Sequence, residues 1–144
     1  MADTALADAR IRSRADLQHY FDSFNGKNYE AMIAYYAPDV IYKVGGATLT
    51  SPRAIADFYT DFHTYCREFV EIAAFALDGD TCAVAVPSYF EPFRDYEKHG
   101  LNFMVGSPVK IVSFIFYTLK DGKIWRIRAT RYNGPAADFK PEWA

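Results

Sequence analysis

Near residue 68 the spacing of apolar residues switches from a helical to a strand period, and that switch dictates the fold class. Before it, Leu17, Tyr20, Phe21 and Phe24 recur at helical spacing. Ser13 followed three residues later by Asp16 marks where that helix starts. Asn25-Gly26-Lys27-Asn28 breaks it, and Asn28 caps a second helix with the stripe Tyr29, Met32, Ile33 and Tyr36. Pro38-Asp39 closes that segment, 40–44 reads as a short strand, and Gly45-Gly46 marks a turn. Ser51-Pro52 opens a third helix, with Ile55, Phe58, Tyr59, Phe62, His63 and Cys66 on one face. Beyond the switch, strands are predicted over 69–77, 81–93, 109–119 and 124–132. Asp78-Gly79-Asp80 and Lys120-Asp121-Gly122-Lys123 supply turns. Three helices followed by long antiparallel strands predict an α+β fold: a strongly bent sheet wrapped around the helices as a cone. The connection over 94–108, with Asp95, Tyr96, His99 and Asn102, has the length of a lid or ligand-binding segment.

With 144 residues the chain fits a single domain over 1–144, its core spanning about 14–133. Residues 1–13 read as an extension and 134–144 as a tail whose Phe139 and Trp143 dock on the body or on a second subunit. A formal charge of −2, a pI near 5.9 and no Lys/Arg-rich block argue against a nucleic-acid partner. Cys66 and Cys82 form no C-x-x-C pair and no His/Cys cluster, so neither a disulfide framework nor a metal site is expected. No cofactor-binding motif is present: there is no Gly-rich phosphate loop and no nucleophile elbow. Acids in the opening eight residues oppose a signal peptide, and no apolar run approaches the roughly 18 residues of a membrane span. The expectation is a cytoplasmic protein without a membrane partner. Its 11 Tyr and 12 Phe exceed what ordinary packing needs, which points to an aromatic-lined pocket for a small molecule.

Tyr20-Phe21-Asp22-Ser23-Phe24-Asn25-Gly26-Lys27-Asn28-Tyr29, then Tyr36-Ala37-Pro38-Asp39-Val40, resemble the opening of the nuclear-transport-factor-2-like superfamily. Ser51-Pro52-Arg53-Ala54-Ile55-Ala56-Asp57-Phe58-Tyr59 and Lys120-Asp121-Gly122-Lys123-Ile124 continue the match, and the SnoaL-like polyketide cyclase and ketosteroid isomerase-like group is the nearest likeness. The resemblance implies the cone fold and, through the sheets, a homodimer. It leaves the reaction open, because the same cone serves isomerases, dehydratases, epoxide hydrolases, cyclases and non-catalytic binders. Motif comparison puts Tyr20 and Tyr59 on the enolate-stabilising tyrosines of ketosteroid isomerases, but Val44 and Ile115 on their two acids. Phe24 and Asn25 stand where scytalone dehydratase has a tyrosine and an aspartate. Ser113 and Tyr117 offer no acid for the Asp-Arg-Asp set of limonene epoxide hydrolase.

Strand alternation, with Ile115 facing in, turns Ile111, Ser113 and Tyr117 inward, together with Ala83, Ala85, Pro87, Tyr89 and Glu91, and Ile127, Ala129 and Arg131. Val84, Val86, Phe90, Val112, Phe114 and Phe116 then form an apolar outer face suited to a dimer. Tyr20 and Tyr59 are either donors to a substrate oxygen or core tyrosines bonded to each other. Tyr42, Tyr89 and Tyr117 add donors, or are half-buried strand aromatics. His63 or Glu91 is the candidate base, since an unperturbed imidazole titrates at about 6.5 and a carboxyl near apolar walls rises; His63 is otherwise a satisfied core residue or sits at the helix end. Glu91 and Arg131 otherwise form an ion pair at the mouth. Asp95 is a carboxylate over the pocket or a solvated one. The leading expectation is an isomerase-, cyclase- or dehydratase-type enzyme acting by acid/base catalysis on a small apolar ring compound bearing a carbonyl or hydroxyl. The alternative is a non-catalytic binding or dimerisation module of the same fold.

Overall fold

Side-chain caps set the helix starts, each satisfying a backbone N–H that the first turn leaves without a partner. Ser13 Oγ accepts from Asp16 N at 3.2 Å ahead of α1 (Arg14–Asn25), and Asp16 Oδ2 reaches back to Arg12 N at 2.7 Å. Asn28 caps the short α2 (Tyr29–Ile33) through Ala31 N, and Ser51 caps α3 (Pro52–Phe62) through Ala54 N with Pro52 in the first turn. The computed structural model describes residues 8–139. The strands within them are β1 (Tyr36–Val44), β2 (Ala47–Leu49), β3 (Cys66–Val70), β4 (Ala74–Asp78), β5 (Thr81–Pro92), β6 (Tyr96–Lys98), β7 (Leu101–Phe103), β8 (Val109–Lys120) and β9 (Lys123–Arg131).

Seven strands form one curled mixed sheet in the order β2-β1-β9-β8-β5-β3, with β4 also paired to β5. Its pairings are antiparallel except β1 with β9. The sheet curls into a half-barrel over the helices. Leu17, Tyr20, Phe21 and Phe24 of α1 and Ile55, Phe58, Tyr59 and Phe62 of α3 are buried against it, as their helical spacing predicts. The expected α+β cone is the observed architecture.

Three sequence expectations are corrected. Tyr36 begins β1 rather than ending a helix, because Pro38 drives the residue before it out of helical backbone. Cys66 begins β3, since α3 ends at Phe62 and His63 is its C-cap. The single strand expected over 69–77 is two, β3 and β4, which pair with opposite halves of β5. The break falls beside Pro87, whose carbonyl accepts from Glu71 N at 3.0 Å. Pro87 has no N–H to offer on that side, so a continuous ladder stops there.

Lys123 ties the N-terminal arm to the body: its Nζ donates to the carbonyls of Ala9 (2.5 Å) and Ala34 (2.7 Å). Ala9 and Ile11 of that arm are buried in the body. Phe139 packs on Phe114 and Tyr132, with ring centroids 5.5 and 5.2 Å apart; Trp143 lies outside the described residues.

At the end of α1, the Asn25 amide grips the backbone of β3. Its Nδ2 donates to Val70 O and its Oδ1 accepts from Val70 N, both at 2.9 Å. Removing it leaves two part-buried backbone groups without partners. Asn25→Ala is therefore expected to cost about 1–3 kcal/mol, read as a lowered urea midpoint; an unchanged midpoint contradicts this role.

Candidate active site

The curl of the sheet leaves a hollow of about 250 Å³ between its concave face, α1 and α3. Aromatic and aliphatic side chains make most of its wall, including Phe21, Phe24, Phe58, Phe62, Phe90 and Ile115. Its polar groups are few: the tyrosines Tyr20, Tyr42, Tyr59 and Tyr117, the hydroxyls of Ser88 and Ser113, and one carboxylate, Glu68.

Glu68 reaches the hollow from β3, where Cys66 and Val70 are buried on the same face while Arg67 and Phe69 are exposed. Its register partner on β5 is Phe90, another lining residue. The carboxyl is 9% exposed, and its Oε1 lies 3.1 Å from Nε2 of His63, itself 3% exposed. Burial raises the Glu68 carboxyl above its ordinary 4.5, while the hydrogen bond and charge of His63 pull it partly back. The other ring nitrogen of His63, Nδ1, is 2.6 Å from the hydroxyl of Tyr29 on α2. Phe24 meets the imidazole edge-on at 5.2 Å and Tyr29 stacks on it at 5.8 Å, which fixes the ring plane.

The phenols work in pairs. Tyr20 OH lies 2.5 Å from Tyr36 OH, and Tyr42 OH lies 3.1 Å from Tyr59 OH. A bond between two hydroxyls consumes one proton and leaves the other free to donate. Tyr117 sets its ring edge-on to Tyr20 at 6.2 Å. Burial pushes Tyr20, Tyr36, Tyr42, Tyr59 and Tyr117 all above the ordinary phenol value. They therefore stay protonated and act as donors.

Of the residues singled out in the sequence, Tyr20, Tyr42, Tyr59, Ser113 and Tyr117 do line the hollow. Val44 and Ile115, at the positions of the missing acids, line it as well. Tyr20 and Tyr59 bond to Tyr36 and Tyr42 and not to each other. His63 stands one bond behind the wall. The inward placement of Glu91 and Tyr89 is corrected: they lie on the opposite face of β5, where Tyr89 OH donates to Glu91 Oε2 at 2.7 Å. Ala83, Ala85 and Pro87 share that outer face, and Val84, Val86 and Phe90 turn inward. The cause is register, since Val84 pairs with Ile115, Val86 with Ser113 and Ser88 with Ile111, and opposed residues share a face. Arg131 has inward phase, but it is exposed at the end of β9 and forms no ion pair with Glu91 among the described residues. Asp95 is exposed and accepts from Val105 N at 2.9 Å, so it shapes its loop.

That loop folds back as the β6–β7 hairpin, and its Leu101 and Phe103 roof the hollow. Sequence reasoning missed Glu68 and Tyr36. An acid between Cys66 and Val70, in step with them, was the available signal for Glu68. Among the described residues no group of three or more His, Cys, Asp or Glu is placed to hold a metal ion, and no helix is long and apolar enough to cross a membrane.

Residues 17–127 match the SnoaL-like domain. The chain belongs to the SnoaL-like family. That places it in the nuclear-transport-factor-2-like superfamily, and solved structures agree on the fold. A proposed polyketide cyclase from Pseudomonas putida KT2440 superposes with a TM-score of 0.69 at 21% identity, covering 81% of this chain and 88% of that one. An LEH-like epoxide hydrolase from M. tuberculosis gives 0.64 at 14%, covering 94% and 86%. A ketosteroid isomerase-like fold from Catenulispora acidiphila, in complex with trimethylamine, gives 0.67 at 15%, covering 87% and 96%. No curated protein sequence matches the chain. At these identities the solved structures speak for architecture alone.

A carboxyl raised in the folded state holds its proton more tightly there than in the unfolded chain. The stability Glu68 contributes is thus full below the unfolded value of 4.5 and is lost as pH rises through the higher folded value. In a carboxyl-detected NMR titration Glu68 is expected to titrate above 4.5, and His63→Phe to move it higher still by removing the group that pulls it down. A downward move in that variant contradicts the arrangement.

Proposed function

We infer that this SnoaL-like protein is an acid/base enzyme that moves a proton on a small, mostly apolar ring compound bearing a carbonyl or hydroxyl. The observation that carries this reading is the placing of a buried carboxyl, Glu68, and two phenol pairs around one apolar hollow. Ionised Glu68 takes a proton from the carbon beside the substrate carbonyl. The oxygen that gains negative charge receives hydrogen bonds from the tyrosine pairs, which are already oriented in a low-dielectric site. Returning the proton elsewhere gives isomerisation, loss of a hydroxyl gives dehydration, and attack on a second carbonyl gives ring closure. His63 holds the carboxyl in place from behind.

Size narrows the substrate. A dry apolar cavity of about 150 Å³ accepts benzene, so 250 Å³ suits a skeleton of about two fused rings. Two-ring ketones and phenols form the panel to try, with conversion followed by chromatography. Glu68→Gln is expected to lower turnover at least about 100-fold with little change in KM. Tyr20→Phe and Tyr59→Phe are each expected to lower it about tenfold, or about 1.4 kcal/mol on the barrier. Tight binding without product over hours contradicts the enzyme reading and favours a binder.

A second part of the reading concerns assembly. The outer face of β4, β5 and β8 carries a shallow apolar groove lined by Ala74, Ala76, Ala83, Ala85, Phe114 and Phe116, with Phe116 51% exposed. Apolar surface of this kind supports a homodimer through the sheet. Sedimentation at micromolar concentration is expected to show a dimer that Phe116→Glu dissociates; a monomer in the unaltered protein overturns this part.

A further inference from the structure

We propose that His63 and Tyr29 form a proton exit leading from the Glu68 carboxyl through the helical wall of the cone, a route that bypasses the cavity mouth. The proposal rests on the reading of Glu68 as the group that moves the substrate's proton.

Both ring nitrogens of His63 are engaged, Nε2 with Glu68 at 3.1 Å and Nδ1 with Tyr29 OH at 2.6 Å. The ring is buried and does not line the hollow, so it acts on no ligand directly. What it does is join a carboxyl inside the cone to a phenol on the short helix α2. Tyr29 is half-buried and its hydroxyl part-buried, so the chain of groups leads from the hollow toward the surface.

The transfer balances without charging any member except the carboxylate. With Glu68 protonated, its O–H donates to Nε2 and the neutral imidazole donates Nδ1–H to the Tyr29 oxygen. The Tyr29 proton then turns toward the Tyr59 carbonyl, 3.5 Å away, or toward water. The shift breaks the Glu68 O–H bond and forms Nε2–H. It breaks Nδ1–H and forms a new O–H on Tyr29, and it releases the original Tyr29 proton to solvent. Glu68 is left ionised, and His63 is left as the other neutral tautomer accepting from Tyr29. Burial and the nearby Glu68 push the Tyr29 hydroxyl up to about 12, so the phenol passes a proton without lingering as phenolate. Such an exit lets the base reset while product still fills the hollow.

The test needs no substrate. In the full chain labelled with nitrogen-15 histidine, the hydrogen on the His63 ring is followed by NMR after transfer to heavy water. Tyr29→Phe keeps the stacked ring but removes the relay oxygen, and it is expected to slow that exchange at least about tenfold. Replacement of Tyr29 by 3-fluorotyrosine, which retains the hydroxyl, is expected to restore it. Backbone amide protection in α3 is recorded alongside to show that the wall stays closed. Exchange in Tyr29→Phe equal to the unaltered protein, or slow exchange that 3-fluorotyrosine does not relieve, overturns the relay. The two readings separate cleanly. Lost turnover in Glu68→Gln with unchanged exchange in Tyr29→Phe removes the exit alone, whereas slowed exchange with full turnover in Glu68→Gln removes Glu68 as the group that moves the substrate's proton.

Discussion

Residues opposed across antiparallel strands point to the same side of the sheet, so one ladder orients several strands together. Here that ladder joins β5 to β8, running from Thr81 opposite Thr118 to Phe90 opposite Val109. It turns Val86, Ser88 and Phe90 toward the helices along with Ile111, Ser113 and Ile115. Because β3 pairs with the far half of β5, Glu68 opposite Phe90 inherits the inward direction. A slip of one residue between β5 and β8 would expose Glu68 and Ser88 and bury Glu91 in their place.

An isolated carboxylate in such an apolar wall would cost several kcal/mol, and the protein offsets this locally. His63 supplies a hydrogen bond to Oε1, and Tyr29 in turn holds the imidazole so that the donor stays aimed. The tyrosine pairs solve the same problem for hydroxyls. Each pairs with another phenol, so neither Tyr20 nor Tyr59 is left without a partner when the hollow is empty. Glu68 and the paired phenols thus have partners of their own within an otherwise greasy surface. Binding then exchanges few hydrogen bonds and buries mainly carbon.

Much of this could be read from the chain before any coordinates. The caps at Ser13, Asn28 and Ser51, the stripe Leu17-Tyr20-Phe21-Phe24 and the turns at Gly79 and Gly122 are local signals, and they placed the elements well. Failure came where a signal was not local. Between Val84 and Ser88 both faces of β5 are buried, so alternation there carries no phase and does not tell which side Glu91 takes. Tyr36 fits the helical spacing of α2, and only the proline two residues later says otherwise. Glu68 has no signature of its own: its importance appears only when β3 is laid against β5 and α3 delivers His63 to it.

The roof of the hollow has a different standing from its walls. Residues 96–103 pair only with each other as a small sheet and rest on the body through ring contacts, Phe103 on Phe62 and Phe90 and Tyr96 on Phe62. The bond from Gly46 N to His99 O, at 2.5 Å, pins the hairpin tip. Among the described residues no strand of the main sheet pairs with it. Lengthening or exchanging this hairpin would reshape the roof while Glu68 and the tyrosine pairs stayed where they are. The shape of the hollow can thus vary independently of the polar groups set in its walls.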